Sequence, residues 1–308
     1  MSRPSGEVPR VLCVGLTTID HIWRVDEFPP RRSRTQASDH VTSGGGPAAT
    51  AAVTAARLGA DTALWTLVGT DVAGDRALTE LAAHGVDLTV SERLRGGRTA
   101  VSGVIVNADG ERYIFPFFGD ALRDVGGEDV ELAQVERFQA VLVDMRLPQL
   151  TTAVLEAATR AGVPTVSDVS AARYWELAGG VDHLIASQEC AAEVLGRDDP
   201  GAALAALRHR EGQVVGITLG ERGLLLEVDR TAEVVPAYAV AAVDTTGAGD
   251  VFHGAYAYGL ARGLRPVRAA ELASATAALA CTGMGREAIP DLEAVHALLA
   301  RSERRTST

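Results

Sequence analysis

The residues best suited to chemistry lie in the segment VDTTGAGDVFHGAY, at positions 243–256. Gly247, Ala248 and Gly249 carry little or no side chain, and Asp250 places a carboxylate directly after them. Because the following residues have helical periodicity, the small residues are predicted to form a helix N-terminus, where unpaired N–H groups and the helix dipole favour an anion. Such a loop can hold a phosphoryl group while Asp250 accepts the proton of an attacking hydroxyl. A plain helix cap is the structural alternative, and this segment alone leaves both open.

Two common nucleotide-binding motifs are excluded at this segment. The chain contains no lysine, so it cannot complete a Walker phosphate loop. The glycine spacing is G-x-G-x-x-x-x-G, which differs from the G-x-G-x-x-G of dinucleotide-binding folds. An anion site of another kind therefore stays open.

The composition predicts a globular protein that handles small molecules. The chain has 308 residues, 47% of them hydrophobic, and its net charge of −11 argues against a nucleic-acid or membrane-surface partner. Cys13, Cys190 and Cys281 form neither a zinc-site pattern nor a disulfide framework. The first residues lack the long apolar stretch and cleavage site of a signal peptide. We therefore expect a cytoplasmic protein.

Apolar strand candidates alternate with Ala-rich amphipathic segments along most of the chain. This alternation predicts βαβ units, and so an α/β fold with a mainly parallel sheet covered on both faces. The strand candidates are RVLCVG (10–15), TALWTLVG (62–69), AVLVDM (140–145), VPTVSDV (163–169), HLIAS (183–187) and VVGITLG (214–220). The first two helix candidates are residues 46–60 and 74–85.

Two regions, residues 22–42 and 98–118, do not follow the βαβ rhythm. They carry alternating or β-branched residues around a turn, with a plausible hairpin turn at residues 107–110. We expect them to pair into a small sheet that projects from a single domain spanning residues 1–308 and serves as a lid. Two irregular surface loops are the alternative.

Together with the segment around Asp250, further motifs along the chain resemble those of the PfkB, or ribokinase-like, family of sugar kinases. DTTGAGDVFHG (244–254) is similar to the family's C-terminal signature, and SGGGPAATAAVTAARLG (43–59) to its N-terminal signature. VGLTTID (14–20), TLGERG (218–223) and CTGMGREAIP (281–290) match further segments in the family's order. The resemblance covers nearly the whole chain. It implies a three-layer α/β/α sandwich with a β-sheet lid, and transfer of a phosphoryl group from ATP with Mg²⁺.

The resemblance also implies roles for individual residues. Asp250 would be the base, and Gly247, Ala248 and Gly249 the anion hole. The sugar would lie near Asp20, Gly44, Gly45 and Gly46, and the nucleotide near Thr218, Gly220, Gly223, Thr246 and Gly283. In many relatives a monovalent cation such as K⁺ binds beside the anion hole, at the positions of Asp244 and Thr246. Pairing of relatives through their lids suggests a homodimer.

Some positions depart from the family pattern. Ala49 stands where an asparagine is usual, and Ser187 and Cys190 occupy the places of the N-x-x-E motif that organises Mg²⁺. The adjacent Glu189 is a possible substitute, although a solvent-exposed glutamate at a helix start is the simpler interpretation. The metal arrangement is therefore open.

Three arginines favour an anionic substrate. Arg34 and Arg98 lie on the lid segments and Arg146 follows a strand, and a guanidinium donates two parallel hydrogen bonds to a phosphate or sulfonate. Each arginine taken alone is more simply a surface group. The motif wording is most similar to bacterial 6-deoxy-6-sulfofructose kinases, which would phosphorylate the 1-hydroxyl, although Pro116 stands where a polar contact is expected. Fructose 6-phosphate, fructose and 2-keto-3-deoxygluconate remain alternatives, as does a non-catalytic sugar- or nucleotide-binding regulator.

Overall fold

The computed structural model describes residues 7–29, 34–108, 112–120 and 132–306. In chain order, its strands are β1 (Arg10–Val14), β2 (Thr18–Arg24), β3 (Asp39–Gly45), β4 (Asp61–Trp65), β5 (Leu67–Gly69), β6 (Glu92–Leu94), β7 (Ala100–Val106), β8 (Arg112–Phe117), β9 (Ala140–Val143), β10 (Thr165–Val169), β11 (His183–Ser187), β12 (Val214–Thr218), β13 (Leu224–Val228) and β14 (Thr231–Val235). The helices are α1 (Pro47–Arg57), α2 (Val72–Ala83), α3 (Pro148–Ala161), α4 (Gln188–Leu195), α5 (Pro200–Leu207), α6 (Ala248–Ala261), α7 (Pro266–Ala280) and α8 (Leu292–Thr306).

The large sheet has the strand order β14-β13-β12-β11-β10-β9-β1-β4. The strands from β12 to β4 are parallel, so their carboxyl ends meet at one edge, where ligands bind in open α/β sheets. β13 and β14 extend the sheet as an antiparallel hairpin, which the sequence did not indicate. Asp229 and Arg230 form its turn with positive φ angles of 49° and 65°. Two-residue hairpins favour this conformation, but glycine is its usual sequence signal.

The sheet separates two helical layers, each with its own apolar core. Successive side chains of a strand point to opposite faces. In β1, Val11 and Cys13 therefore pack with the layer of α1, α6 and α7, while Leu12 and Val14 pack with the layer of α3, α4 and α5. The predicted three-layer α/β/α fold is confirmed.

A second sheet of four strands, in the order β3-β2-β7-β8, forms the lid. β2 pairs parallel with β7, and the two outer pairs are antiparallel. The lid strands begin earlier and end later than residues 22–42, since β2 starts at Thr18 and β3 ends at Gly45. Part of the hairpin turn expected at residues 107–110 lies outside the described residues.

The single strand expected at residues 62–69 is two strands. β4 belongs to the large sheet, whereas β5 leaves it and pairs with β6. The backbones meet closely there, because a Cβ on Gly69 would lie 2.1 Å from the Gly97 carbonyl oxygen. β5 ends at this close contact, which a local sequence pattern does not indicate.

The helices of the described chain lack the length and apolar character needed to cross a bilayer.

Candidate active site

A cavity of 1140 Å³ lies between the lid and the carboxyl ends of the parallel strands. Ten of the candidate catalytic and binding residues lie at its wall: Asp20, Gly44, Gly45, Gly46, Arg146, Asp244, Thr246, Gly247, Asp250 and Gly283. Those that do not line it are Arg34, Arg98, Ala248, Gly249, Thr218, Gly220 and Gly223.

The N-terminus of α6 points at this cavity. Gly247 is its N-cap and has the left-handed φ of 73°, a conformation that favours glycine. A Cβ added to Gly249 would meet no described atom within 4 Å, so there is open space beside the backbone. Further along the helix, a Cβ on Gly254 would lie 2.4 Å from the Ala51 carbonyl oxygen. Gly254 therefore lets α6 cross α1 closely, which brings the N-termini of both helices to the same cavity.

Asp250 lies in the first turn of α6 and is half-buried. Burial raises its pKa well above the usual range for an aspartate, and the neighbouring carboxylate of Asp168, to which it is hydrogen-bonded, raises it further. A carboxylate with a raised pKa is a stronger base once it has lost its proton. The geometry therefore suits Asp250 to accept a proton from a hydroxyl group in the cavity.

His253, one turn beyond Asp250, packs inside the protein. Its Nδ1 is 2.7 Å from the Gly249 carbonyl oxygen and 3.7 Å from a carboxylate oxygen of Asp168. The imidazole thus fixes the first turn of α6 against the end of β10. Among the described residues, no group of three or more His, Cys, Asp or Glu side chains is placed to hold a metal ion.

Asp144, directly after β9, is a buried carboxylate that the sequence reasoning did not select. It accepts hydrogen bonds from the backbone N–H groups of Leu16 and Arg146, at 2.7 and 3.0 Å. Burial raises its pKa to about 6. A Cβ on Gly15 would lie 2.0 Å from its Oδ1 atom, so glycine is required there. Asp144 ties the loop after β1 to the end of β9.

Asp20 lies on the inner face of the lid, at the opposite wall from α6. Thr18 donates a hydrogen bond of 3.0 Å to it, and burial raises its pKa. A Cβ on Gly45 would overlap its carboxylate at 2.1 Å. The glycine turn and Asp20 are therefore packed as one unit.

Arg286 is the largest omission of the sequence reasoning. It is only 5% exposed, and its guanidinium donates to the Gly45 carbonyl oxygen at 2.7 Å and to Glu80 at 3.1 Å. Glu80 in turn accepts a 3.0 Å hydrogen bond from the Gly44 N–H. The segment GREAIP was noted, but its arginine was not. An arginine in a mostly apolar segment that was expected near a binding pocket is the signal that could have indicated its role.

Arg146 reaches the cavity from the end of β9. Its Nη2 donates to the Ser170 hydroxyl at 3.2 Å, and its guanidinium carbon lies 5.5 Å from the centre of the Tyr174 ring. The guanidinium carbon of Arg173 lies 4.8 Å from the centre of the same ring. The buried Nε of Arg146 has no hydrogen-bond acceptor among the described residues. Arg146 and Arg173 thus place two guanidinium groups at this end of the cavity.

The other two arginines expected to grip an anion lie elsewhere. Arg98 is exposed and forms an ion pair with Asp120 at 3.1 Å, while its guanidinium stacks on Phe117. Arg34 is exposed in the segment before β3.

Thr218, Gly220 and Gly223, three of the five residues expected at the nucleotide, lie at the far end of the same sheet edge. Thr218 ends β12 and pairs in register with Ser187 at the end of β11. Gly223 is held in a positive φ of 91°, and a Cβ there would lie 2.1 Å from the Val235 carbonyl oxygen. The loop from β12 to β13 is therefore shaped by close backbone contact.

The positions of the missing N-x-x-E motif serve the protein itself. The Ser187 hydroxyl caps α4 by accepting the N–H of Cys190 at 3.1 Å, and Cys190 is buried. Glu189 is exposed in the first turn of α4. Asp244 accepts the Thr246 N–H at 2.9 Å, which shapes the loop before α6.

A model of the pfkB family of carbohydrate kinases matches residues 8–292. The chain belongs to this family, and it is a phosphotransferase with an alcohol group as acceptor. The fold and the class of enzyme predicted from the sequence are thereby confirmed.

Individual relatives narrow the class to ATP-dependent sugar kinases of the ribokinase type. The chain is 30% identical to the ATP-dependent ribose-1-phosphate kinase of Halopiger xanaduensis over 296 residues, which cover 94% of this chain and 98% of that protein. It is also 30% identical to the ribokinase of Mus musculus over 272 residues, 83% of each chain. Among solved structures, a candidate ribokinase from Agrobacterium tumefaciens is similar with a TM-score of 0.90 and 32% identity, covering 96% of this chain and 99% of that one.

Proposed function

We propose that this enzyme transfers the γ-phosphoryl group of ATP to a primary hydroxyl of an anionic ketose, with 6-deoxy-6-sulfofructose as the leading candidate and its 1-phosphate as product. The observation that supports this proposal is that one end of the cavity is lined by arginine side chains. The side chains of Arg146 and Arg173 line this end. Guanidinium groups suit an anionic substituent, because they donate parallel, charge-assisted hydrogen bonds to a phosphate or sulfonate.

In the proposed mechanism, Asp250 takes the proton of the sugar hydroxyl. The hydroxyl oxygen forms a bond to the γ-phosphorus while the bond from that phosphorus to the bridging oxygen of ADP breaks. The N–H groups of Gly247, Ala248 and Gly249 at the start of α6 stabilise the charge on the transferring group. Asp20 and the turn from Gly44 to Gly46 hold the sugar hydroxyls.

Mg²⁺ would neutralise charge on the nucleotide phosphates. Since the described residues include no metal-binding cluster, we propose that the ion is carried by the nucleotide rather than by a protein cage. Thr218, Gly220 and Gly223 line the nucleotide side, with Thr246 and Gly283. Asp244 and Thr246 are the proposed neighbours of a monovalent cation.

Ribose 1-phosphate is the second candidate substrate, because the 30% identical Halopiger xanaduensis protein acts on it. It too is an anionic sugar with a primary hydroxyl, so the same guanidinium groups suit it. The proposals differ in the size of the sugar and in the distance between its anion and its hydroxyl.

The deciding experiment is ATP consumption with a panel of sulfofructose, fructose 6-phosphate, ribose 1-phosphate, fructose, ribose and 2-keto-3-deoxygluconate. We expect the highest kcat/KM with an anionic member. A neutral sugar at the top of the ranking contradicts the anionic proposal. Binding of sugar and nucleotide without turnover on any member identifies the regulator alternative.

Arginine variants then locate the anion. We expect Arg146→Ala to raise the KM of the anionic substrate on the order of 10- to 100-fold more than that of its neutral analogue. Arg160→Ala, at an exposed position on α3, is the matched control. If Arg98→Ala or Arg34→Ala has the larger effect, the lid arginines hold the anion and Arg146 does not.

We also propose a homodimer through the outer face of the lid. Phe115, Tyr113 and Trp23 are 62%, 53% and 37% exposed and lie on the face turned away from the cavity. A contiguous apolar face of this kind is typical of an interface. Phe115→Asp should shift the protein from dimer to monomer in analytical ultracentrifugation, and a monomeric parent protein refutes the proposal.

A further inference from the structure

His253 is a buried histidine whose two ring nitrogens both face hydrogen-bond acceptors. The residue is 3% exposed. Its Nδ1 is 2.7 Å from the Gly249 carbonyl oxygen, and its Nε2 is 3.4 Å from the Ile185 carbonyl oxygen on β11. A neutral imidazole carries one N–H and can donate to only one of these carbonyl groups, whereas the doubly protonated ring donates to both. The backbone on either side of the ring therefore favours the imidazolium form.

The carboxylate of Asp168 lies beside the same ring. One of its oxygens is 3.7 Å from Nδ1 of His253, and Asp168 is 8% exposed. A buried carboxylate is costly unless a positive charge or hydrogen bonds compensate it. A positive charge within about 4–6 Å favours an ionised carboxylate, and the carboxylate in turn favours the protonated ring. His253 and Asp168 are therefore placed as a buried ion pair.

Asp168 connects this ion pair to Asp250. The two carboxyl groups are hydrogen-bonded, and two like charges in contact disfavour the ionisation of both. His253 follows Asp250 by three residues on α6, so the two side chains lie on the same side of the helix. Asp250 must be ionised to accept a proton from the sugar, which places two negative charges side by side. A cation next to Asp168 offsets their repulsion.

Two further charged groups act on Asp250 from other elements. Asp144, after β9, raises the pKa of Asp250, and Arg286, in the segment before α8, lowers it. Arg286 also donates to Glu80 and to the Gly45 carbonyl oxygen, so its charge is shared with another carboxylate. The site therefore still needs a positive charge beside Asp168.

The other ionisable side chains of the elements around His253 are neutral or lie elsewhere. Burial raises the pKa of the Cys13 thiol on β1 and of the Cys190 thiol on α4, so both stay uncharged. His183 on β11 is 2.9 Å from the Tyr256 hydroxyl, and burial lowers the pKa of this histidine to about 4. The charged side chains lie at far ends of their elements or at the surface: Arg10 at the start of β1, Arg57 at the end of α1, and Arg268 with Glu271 in an exposed pair on α7.

We propose that His253 is a positioning residue held in the imidazolium form, whose positive charge allows Asp168 and Asp250 to be ionised together. Asp250 then accepts the proton of the sugar hydroxyl as the bond from the sugar oxygen to phosphorus forms and the bond to ADP breaks. His253 keeps both of its ring protons throughout and touches neither substrate. This inference rests on the proposed role of Asp250 as the base, but not on which sugar is used.

The charge of His253 can be measured without turnover. In nitrogen-15 labelled parent protein, the chemical shifts of the two ring nitrogens distinguish the imidazolium from either neutral tautomer. At about pH 8, where a histidine open to solvent is neutral, we expect both nitrogens of His253 to be protonated. The exposed His296 on α8 serves as the reference. Shifts of a neutral tautomer at His253 overturn the proposal.

The effect on the base is measured with His253→Gln, which removes the charge and keeps an N–H donor. We expect the rising limb of kcat/KM against pH to shift to higher pH by about one unit, because the loss of a cation disfavours the ionised pair. Above this limb, kcat/KM should recover to within about 3-fold of the parent value, since Asp250 ionises there without help. His296→Gln, at the exposed position on α8, should leave the profile unchanged.

The double variant His253→Gln with Asp168→Asn separates charge from structure. With both charges gone, the limb should return to near its position in the parent enzyme, so the two single shifts partly cancel. A limb that His253→Gln does not shift, or a loss of activity that is equal at every pH, overturns the proposal. If no sugar of the panel is phosphorylated, the substrate proposal fails, while the shifts of the ring nitrogens still decide the charge of His253.

Discussion

Two glycine-rich turns lead into helices at the same cavity, yet only one of them has free space beside its backbone. Before α1, a Cβ on Gly44 would lie 2.2 Å from a carboxylate oxygen of Glu80, and one on Gly45 would lie 2.1 Å from Asp20. At the start of α6, a Cβ on Gly249 would reach none of the described atoms within 4 Å. The first turn is filled by the protein's own charged groups, and the second is open.

The comparison shows that glycine has two different physical uses here. In the α1 turn it makes room for side chains that arrive from distant parts of the chain, above all Arg286. In the α6 turn it leaves free space beside the backbone of Gly249, next to Gly247 at the cavity wall. A glycine-rich sequence by itself therefore does not identify an anion site, since the surrounding tertiary structure decides what occupies the space.

The strongest test of the open turn is Asp250→Asn. We expect kcat to fall on the order of 10³-fold, because an amide cannot accept the hydroxyl proton. Steady-state kinetics with the best sugar measure this, and calorimetry should show that ADP still binds. Turnover within a few-fold of the parent enzyme would remove Asp250 from the mechanism.

The filled turn is tested by Gly44→Ala. The new methyl group would overlap both Arg286 and Glu80, so this buried ion pair must separate. We expect the free energy of unfolding to drop by about 3 kcal/mol, the typical cost of disrupting a buried pair. Urea denaturation measures the change. Gly201→Ala, at an exposed site with an ordinary φ and room for a methyl group, controls for the loss of glycine flexibility.

Gly249→Ala should give the opposite result at the open turn. Its methyl group enters free space, so we expect the free energy of unfolding to stay within about 0.5 kcal/mol of the parent value. The same group obstructs the approach of the phosphoryl group, and kcat/KM for ATP should fall roughly 10- to 100-fold as anion-hole contacts are lost. Comparable instability in Gly44→Ala and Gly249→Ala would erase the contrast between the two turns.

The pH dependence of kcat/KM tests the electrostatic environment of Asp250 in the α6 turn. Asp250 acts as a base only when ionised, and its pKa is raised, so kcat/KM should increase with pH across a range above that of an ordinary aspartate. The charge and hydrogen bond of Asp168 are part of the cause. Asp168→Asn should therefore shift this rising limb of the pH profile to lower pH by about one unit. An unmoved limb would mean that Asp168 does not raise the pKa of Asp250, and that burial and the charge of Asp144 do. Glu156→Gln, at an exposed carboxylate on α3, should leave the limb in place.

Much of the site's outline could be predicted locally. Alternation of apolar strands and Ala-rich helices indicated the parallel sheet, because hydrophobic periodicity depends only on near neighbours. The motif around Asp250 indicated a helix start with a carboxylate in its first turn, and α6 begins at Ala248. The β13–β14 hairpin was missed, since its Asp229-Arg230 turn carries no glycine.

What the sequence by itself determined was the layered α/β fold and a glycine-rich helix N-terminus with Asp250 in its first turn, all of which follow from patterns of adjacent residues. Only the tertiary structure decided that Arg286 fills the α1 turn, that Asp168 lies against Asp250, and that His253 lies beside Asp168. Each of these contacts joins residues more than 80 positions apart. Burial and the close approach of charged groups stabilise these contacts, and both require the sheet, the helices and the lid to have packed together.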